Sequence, residues 1–151
     1  MVCLKPIGFL AAAPYVIAVQ RMPPEPPGSA NTFRMNVCLM KAPAESPVMR
    51  ECYAECLAAD KAKLRWGMTG PDLATRAFIT HGLKHYAIAP DVLCPVDFWR
   101  VRDLVAGELR MQPEWHAIHF WNEIWRVSQL DKDARYAPAC AFEALKRRYG
   151  I

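Results

Sequence analysis

Tyr15-Val16-Ile17-Ala18-Val19 is an unbroken apolar run rich in β-branched residues, closed on one side by Pro14 and on the other by a polar stretch that leads into a proline cluster. It reads as a buried strand. Upstream, Met1 to Leu4 is a second short apolar run, halted by Lys5-Pro6, and reads as another buried strand. Downstream, Arg21 to Asn31 contains Pro23, Pro24, Pro26, Pro27 and Gly28, a loop composition that suits neither helix nor strand. Phe33 to Met40 alternates loosely and reads as a third strand.

Helical patterns take over beyond it. Ser46-Pro47 has the form of a helix start, with serine to cap free amides and proline tolerated in the first turn. Met49, Cys52, Tyr53, Cys56 and Leu57 recur at helical spacing and predict a buried stripe. Thr69-Gly70-Pro71-Asp72 opens a second helix with a capping-box pattern, threonine at the cap and aspartate three on. Leu73, Ala77 and Phe78 supply its inner face, and Gly82 ends it. Tyr86 to Ala89 reads as a strand, Pro90 to Pro95 as a turn-rich segment, and Phe98 to Leu109 reads equally as helix or strand. Trp115 to Trp121 alternates aromatic and small residues as a strand or extended segment, and Ala139 to Tyr149 is a final helix carried by Phe142, Leu145 and Tyr149. Short strands alternating with helices predict an α/β layer architecture.

The 151 residues, 53% hydrophobic and 23% charged, suit one globular domain with a single core. A net charge of +4 favours an anionic small molecule over nucleic acid, because the basic residues are scattered. Their one tight run, Lys146-Arg147-Arg148, complements the C-terminal dipole of the last helix. Six cysteines show no CxxC and no paired zinc-ligand spacing. Cys52 and Cys56 share a helix face and read as two buried thiols, which implies a reducing, cytoplasmic compartment. Pro6, Gly8 and Pro14 divide the apolar beginning of the chain into pieces too short for a spanning helix.

Three local patterns carry chemistry: Met1-Val2-Cys3-Leu4-Lys5-Pro6; Arg65-Trp66-Gly67-Met68-Thr69-Gly70-Pro71 with Thr75 one turn on; and Ala117-Ile118-His119-Phe120-Trp121-Asn122 followed by Trp125-Arg126. In this order, with Asn36 and Pro90 to Pro95 between them, they resemble the GT-A glycosyltransferases that carry a DxD motif, of the alpha-1,4-glycosyltransferase and capsular-polysaccharide types. The likeness spans essentially all 151 residues and implies a mixed sheet with flanking helices, the C-terminal part of a nucleotide-diphospho-sugar transferase fold. The implied activity is transfer of a hexose from a nucleotide-sugar donor to a carbohydrate acceptor.

That resemblance places DxD directly before Val2, so the expectation is one domain truncated at its N-terminus, with the acidic holders of a manganese or magnesium ion missing. The only DxD present, Asp131-Lys132-Asp133, lies in a polar stretch with no strand leading into it, the wrong context for a metal site. The resemblance implies His119 as a metal ligand and Trp121 as an indole donor to phosphate, with Asn122 beside it. It sets Gly70-Pro71 at a helix N-terminus facing the donor, and Asn36 on a sugar hydroxyl. Trp66, Trp99, Trp115 and Trp125 read either as a sugar-stacking platform or as core. Period-two geometry puts Ala117, His119 and Trp121 on one face, with Ile118 and Phe120 on the other. Strands deprived of their partners predict self-association through an open sheet edge. A non-catalytic remnant serving as a binding or interaction module is the alternative from another class, and a hydrolase pairing His119 with Glu123 is a third.

Overall fold

A computed structural model describes residues 1–23, 33–107 and 109–151. Its elements run β1 (Val2–Cys3), β2 (Val16–Arg21), β3 (Phe33–Lys41), α1 (Pro47–Ala58), α2 (Pro71–Thr80), β4 (Ala87–Ile88), α3 (Pro90–Leu93), α4 (Asp103–Ala106), β5 (Ala117–Ile118), α5 (Asn122–Val127) and α6 (Ala141–Tyr149). The fold is mixed α/β. β2 is the centre of a three-stranded sheet, antiparallel to β3 and parallel to β4, while β1 and β5 form a separate antiparallel pair.

The apolar run Tyr15 to Val19 explains the layering. Val16 to Gln20 is buried throughout, and period-two geometry sends its side chains to opposite faces. Val16 and Ala18 join a core with Leu93, Trp115, Ile118, Trp125 and Leu145. Ile17 joins a second core with Met35, Val48, Ala74, Ala77 and Phe78. A strand covered on both faces needs apolar residues at every position, and this one has them through Val19. Gln20 is buried because its amide oxygen accepts from the Asn36 side chain at 3.0 Å.

The pairing of β2 with β3 breaks once: Ile17 opposes Met40 and Ala18 opposes Asn36, so residues 37–39 are looped out of the ladder. Cys38 N–H, lost to the ladder, donates to Asn36 Oδ1 at 2.9 Å. On the other side of the sheet Thr75 stitches α2 to β3. Its hydroxyl donates to the Pro71 carbonyl at 2.6 Å and accepts from Met35 N–H at 3.0 Å.

Several expectations are corrected. The stripe on α1 is not buried: of that helix only Val48 is, and Tyr53 and Leu57 are 67% and 68% exposed. Cys52 alone of the stripe packs against the second core, and the described elements leave Tyr53 and Leu57 uncovered. Cys52 is accordingly half-buried and Cys56 exposed, against the two buried thiols expected. Ser46 stands at the start of α1 without a side-chain cap, its buried hydroxyl unpartnered among the described residues. Gly70, not Thr69, caps α2, and Asp72 pairs with Arg34 instead of closing a capping box. The Pro90 segment includes a four-residue helix, and residues 98–106 fold as a 3-10 turn followed by α4. The proline-rich stretch from Pro24 to Asn31 lies outside the described residues.

The tryptophans divide between the two readings. Trp115 and Trp125 are core, and Trp125 packs on Phe142 at 4.7 Å between centroids. Trp66 and Trp99 are exposed.

Candidate functional site

A cavity of about 520 Å³ opens between two walls, within the roughly 300–1,000 Å³ of small-molecule sites. One wall comes from β3 and the turn before α2: Arg34, Asn36, Cys38, Trp66, Thr69, Gly70 and Pro71. The other comes from Phe98 and the segment after β5: His119, Trp121, Asn122 and Glu123. All six residues singled out for sugar, phosphate or metal, namely Asn36, Gly70, Pro71, His119, Trp121 and Asn122, line this one space. The sequence brings them from three separate stretches of chain.

The local chemistry is not what the resemblance implied at each position. β5 ends at Ile118, so the alternating face does not continue through Trp121. Trp121 instead adopts left-handed φ and ψ of 50° and 58°, a conformation that costs a bulky residue about 1–3 kcal/mol. Two hydrogen bonds hold it there. Its backbone N–H donates to His119 Nδ1 at 3.0 Å, and its indole N–H donates to the Val96 carbonyl at 2.7 Å. The indole donor expected for phosphate is therefore already spent.

His119 accepts through Nδ1, which assigns its one proton to Nε2. Burial, and after it the charge of the chain's amino group, push its pKa down to about 4. The ring is neutral at pH 7 and offers an N–H rather than a lone pair. That state is a hydrogen-bond donor and not a metal ligand. Among the described residues no three His, Cys, Asp or Glu side chains gather where they could hold a metal ion. The described residues do not by themselves complete a site for a divalent cation.

Gly70 and Pro71 shape the wall without supplying free amides. Gly70 N–H and Asp72 N–H both donate to the Gly67 carbonyl, at 3.1 and 3.0 Å, and proline has no N–H. Asn36 retains partial capacity: one Nδ2 hydrogen and one Oδ1 lone pair are used by Gln20 and Cys38. Asn122 is exposed and makes no side-chain hydrogen bond among the described residues.

Charges around the cavity are paired. Arg34 meets Asp72 at 2.5 Å, and Arg126 meets Glu123 at 2.5 Å. The Arg126 guanidinium holds the Glu123 carboxyl below its usual range, and no bond joins Glu123 to His119, which leaves the hydrolase pairing without geometric support. Asp131-Lys132-Asp133 forms a local turn, with Asp131 Oδ1 accepting Asp133 N–H at 2.9 Å. It does not line the cavity.

Two features escaped the sequence reading. Arg34 lines the cavity with its Nε buried and unpartnered among the described residues. The thiols of Cys38 and Cys94 lie 3.6 Å apart, and the coupling pushes the buried Cys94 thiol up and the Cys38 thiol down. Both pairings link residues far apart in sequence, so no spacing could signal them.

Compared with protein-family models, curated proteins and solved structures, the chain matches none.

Proposed function

We propose that this chain is the C-terminal part of a GT-A glycosyltransferase domain and contributes to transfer of a hexose from a nucleotide-sugar donor to a carbohydrate acceptor. One observation carries the reading. The six residues that the resemblance implies for donor, acceptor and metal line a single ligand-sized cavity. The pairing of β1 with β5 supports it as well: Val2 opposes Ile118, the neighbour of His119.

In this reading the Nε2–H of neutral His119 and the amide of Asn122 hydrogen-bond the donor, while Asn36 presents its remaining amide hydrogen to a sugar hydroxyl. Trp121 positions both neighbours: its strained backbone orients His119 and starts α5 at Asn122. The manganese or magnesium ion of the resemblance stays part of the proposal, but no step here runs through it. Also proposed are a cytoplasmic location, in keeping with six free thiols, and self-association along β3, which is an edge of its sheet. Sedimentation velocity tests the latter, a monomer at all concentrations contradicting it. Among the described residues no helix is long and apolar enough to cross a membrane.

A second reading, a binding module without catalysis, is favoured by the committed Nδ1 of His119. Calorimetry separates the readings. UDP- and GDP-hexoses are titrated with and without manganese into the wild type and Asn122→Ala. Binding weakened about tenfold by the substitution, a loss of about 1.4 kcal/mol, supports the transferase site, and manganese-independent binding without hydrolysis or transfer supports the module. No binding of any nucleotide sugar defeats the donor-site assignment.

A further inference from the structure

We propose that Trp66 is the stacking platform of a neutral carbohydrate subsite, the place where the acceptor glycan rests; the inference depends on the glycosyl-transfer reading above. Trp66 is 70% exposed and lines the cavity beside Arg34, Gly67 and Thr69. Single exposed aromatics are ordinary on protein surfaces. This one is anchored. The Arg34 guanidinium carbon lies 5.5 Å from its ring centroid, a cation–π contact, and Arg34 is itself fixed by Asp72.

Gly67 makes the anchor possible. Its φ is +89°, and a Cβ there would fall 2.5 Å from the Arg34 guanidinium and 3.2 Å from the Asp72 carboxylate. The turn Arg65-Trp66-Gly67 thus lets an ion pair lie flat against the backbone and hold the indole at the mouth of the cavity.

The neighbouring groups define the ligand class. The cation that lines this wall, Arg34, is already paired with Asp72, so the wall offers little attraction to an anion. The uncharged polar lining consists of Gln20, Asn36, Thr69 and Asn122. Amides and hydroxyls both donate and accept, as sugar hydroxyls do, whereas a phosphate only accepts. The apolar C–H face of a pyranose suits the electron-rich indole face.

The test uses an array of neutral oligosaccharides probed with the full chain and with Trp66→Ala, Trp66→Phe and Trp99→Phe, each checked for an unchanged melting transition. UDP-hexose binding is measured on the same proteins by calorimetry. The expected result is oligosaccharide binding by the wild type, weakened about tenfold or more in Trp66→Ala. It is partly kept in Trp66→Phe and unchanged in Trp99→Phe, with UDP-hexose binding altered by less than about twofold. Undiminished oligosaccharide binding by Trp66→Ala overturns the subsite, as does an array with no wild-type signal, and UDP-hexose binding then tells whether the donor reading survives. Loss of UDP-hexose binding in Trp66→Ala places the indole on the donor and overturns the acceptor assignment. Failure of both ligands to bind the wild type overturns the subsite and the donor reading together.

Discussion

The two walls of the cavity differ in how each holds its tryptophan. On one side Trp121 is bonded within the wall, its backbone N–H to the imidazole of His119 and its indole to the Val96 carbonyl. On the other, the Trp66 indole stands mostly in water, held by a cation–π contact with Arg34. Hydrogen bonds fix the first ring in place and leave the second with a face open to a ligand. The first wall is a mould and the second a hand.

Substitutions can break this contrast. The largest loss of stability is expected from Trp121→Ala, about 3–5 kcal/mol by analogy with other large aromatic deletions. Trp121→Phe keeps the ring but leaves the Val96 carbonyl unmet, for about 1–3 kcal/mol. Denaturant titration measures both, and a loss well under 1 kcal/mol for Trp121→Ala would mean that the mould is not rigid.

His119 makes the same wall sensitive to acid. Its pKa is depressed to about 4 in the folded chain, whereas an unfolded histidine titrates near 6.5. Between those values the unfolded state binds more protons, so stability falls as pH drops from about 6.5 to 4, by at most roughly 1.4 kcal/mol per pH unit. Above pH 6.5 the residue contributes no slope. His119→Gln is expected to flatten that acid limb, in melts recorded across the window. An identical slope in the variant would show that the ring is not buried as described.

The opposite wall gives smaller effects. Gly67→Ala forces a side chain into a left-handed backbone and against Arg34, and about 1–3 kcal/mol of destabilisation is expected. Trp66→Ala, at an exposed position, is expected to change stability by no more than about 0.5 kcal/mol. If instead Trp66→Ala destabilises like Trp121→Ala, the two walls are alike and the contrast fails.

These differences bear on what could be read from the residues alone. Strands β1 to β4 and helices α1, α2 and α6 were legible because apolar period and proline or glycine punctuation are local signals. Long-range cover was not. The stripe from Met49 to Leu57 has the period of a buried face, yet burial depends on a covering element, and period carries no information about one. The order of motifs picked out residues that line one cavity, but it carried no information on what each of them bonds. Whether Trp121 keeps its indole hydrogen depends on Val96, 25 residues away. Whether Gly70 and Asp72 have free amides depends on where the Gly67 carbonyl points. Arg34 was passed over because its partners, Asp72 and Trp66, lie more than thirty residues on in the chain.

The central claim, that this cavity receives a nucleotide sugar, is tested most directly by titrating UDP- and GDP-hexoses into isotopically labelled chain and following amide and indole resonances. The account predicts saturable shifts in the side-chain amides of Asn36 and Asn122 and in the backbone of His119 to Asn122, with the exposed face of α1 silent. Shifts confined to α1, or none with any donor, would contradict it.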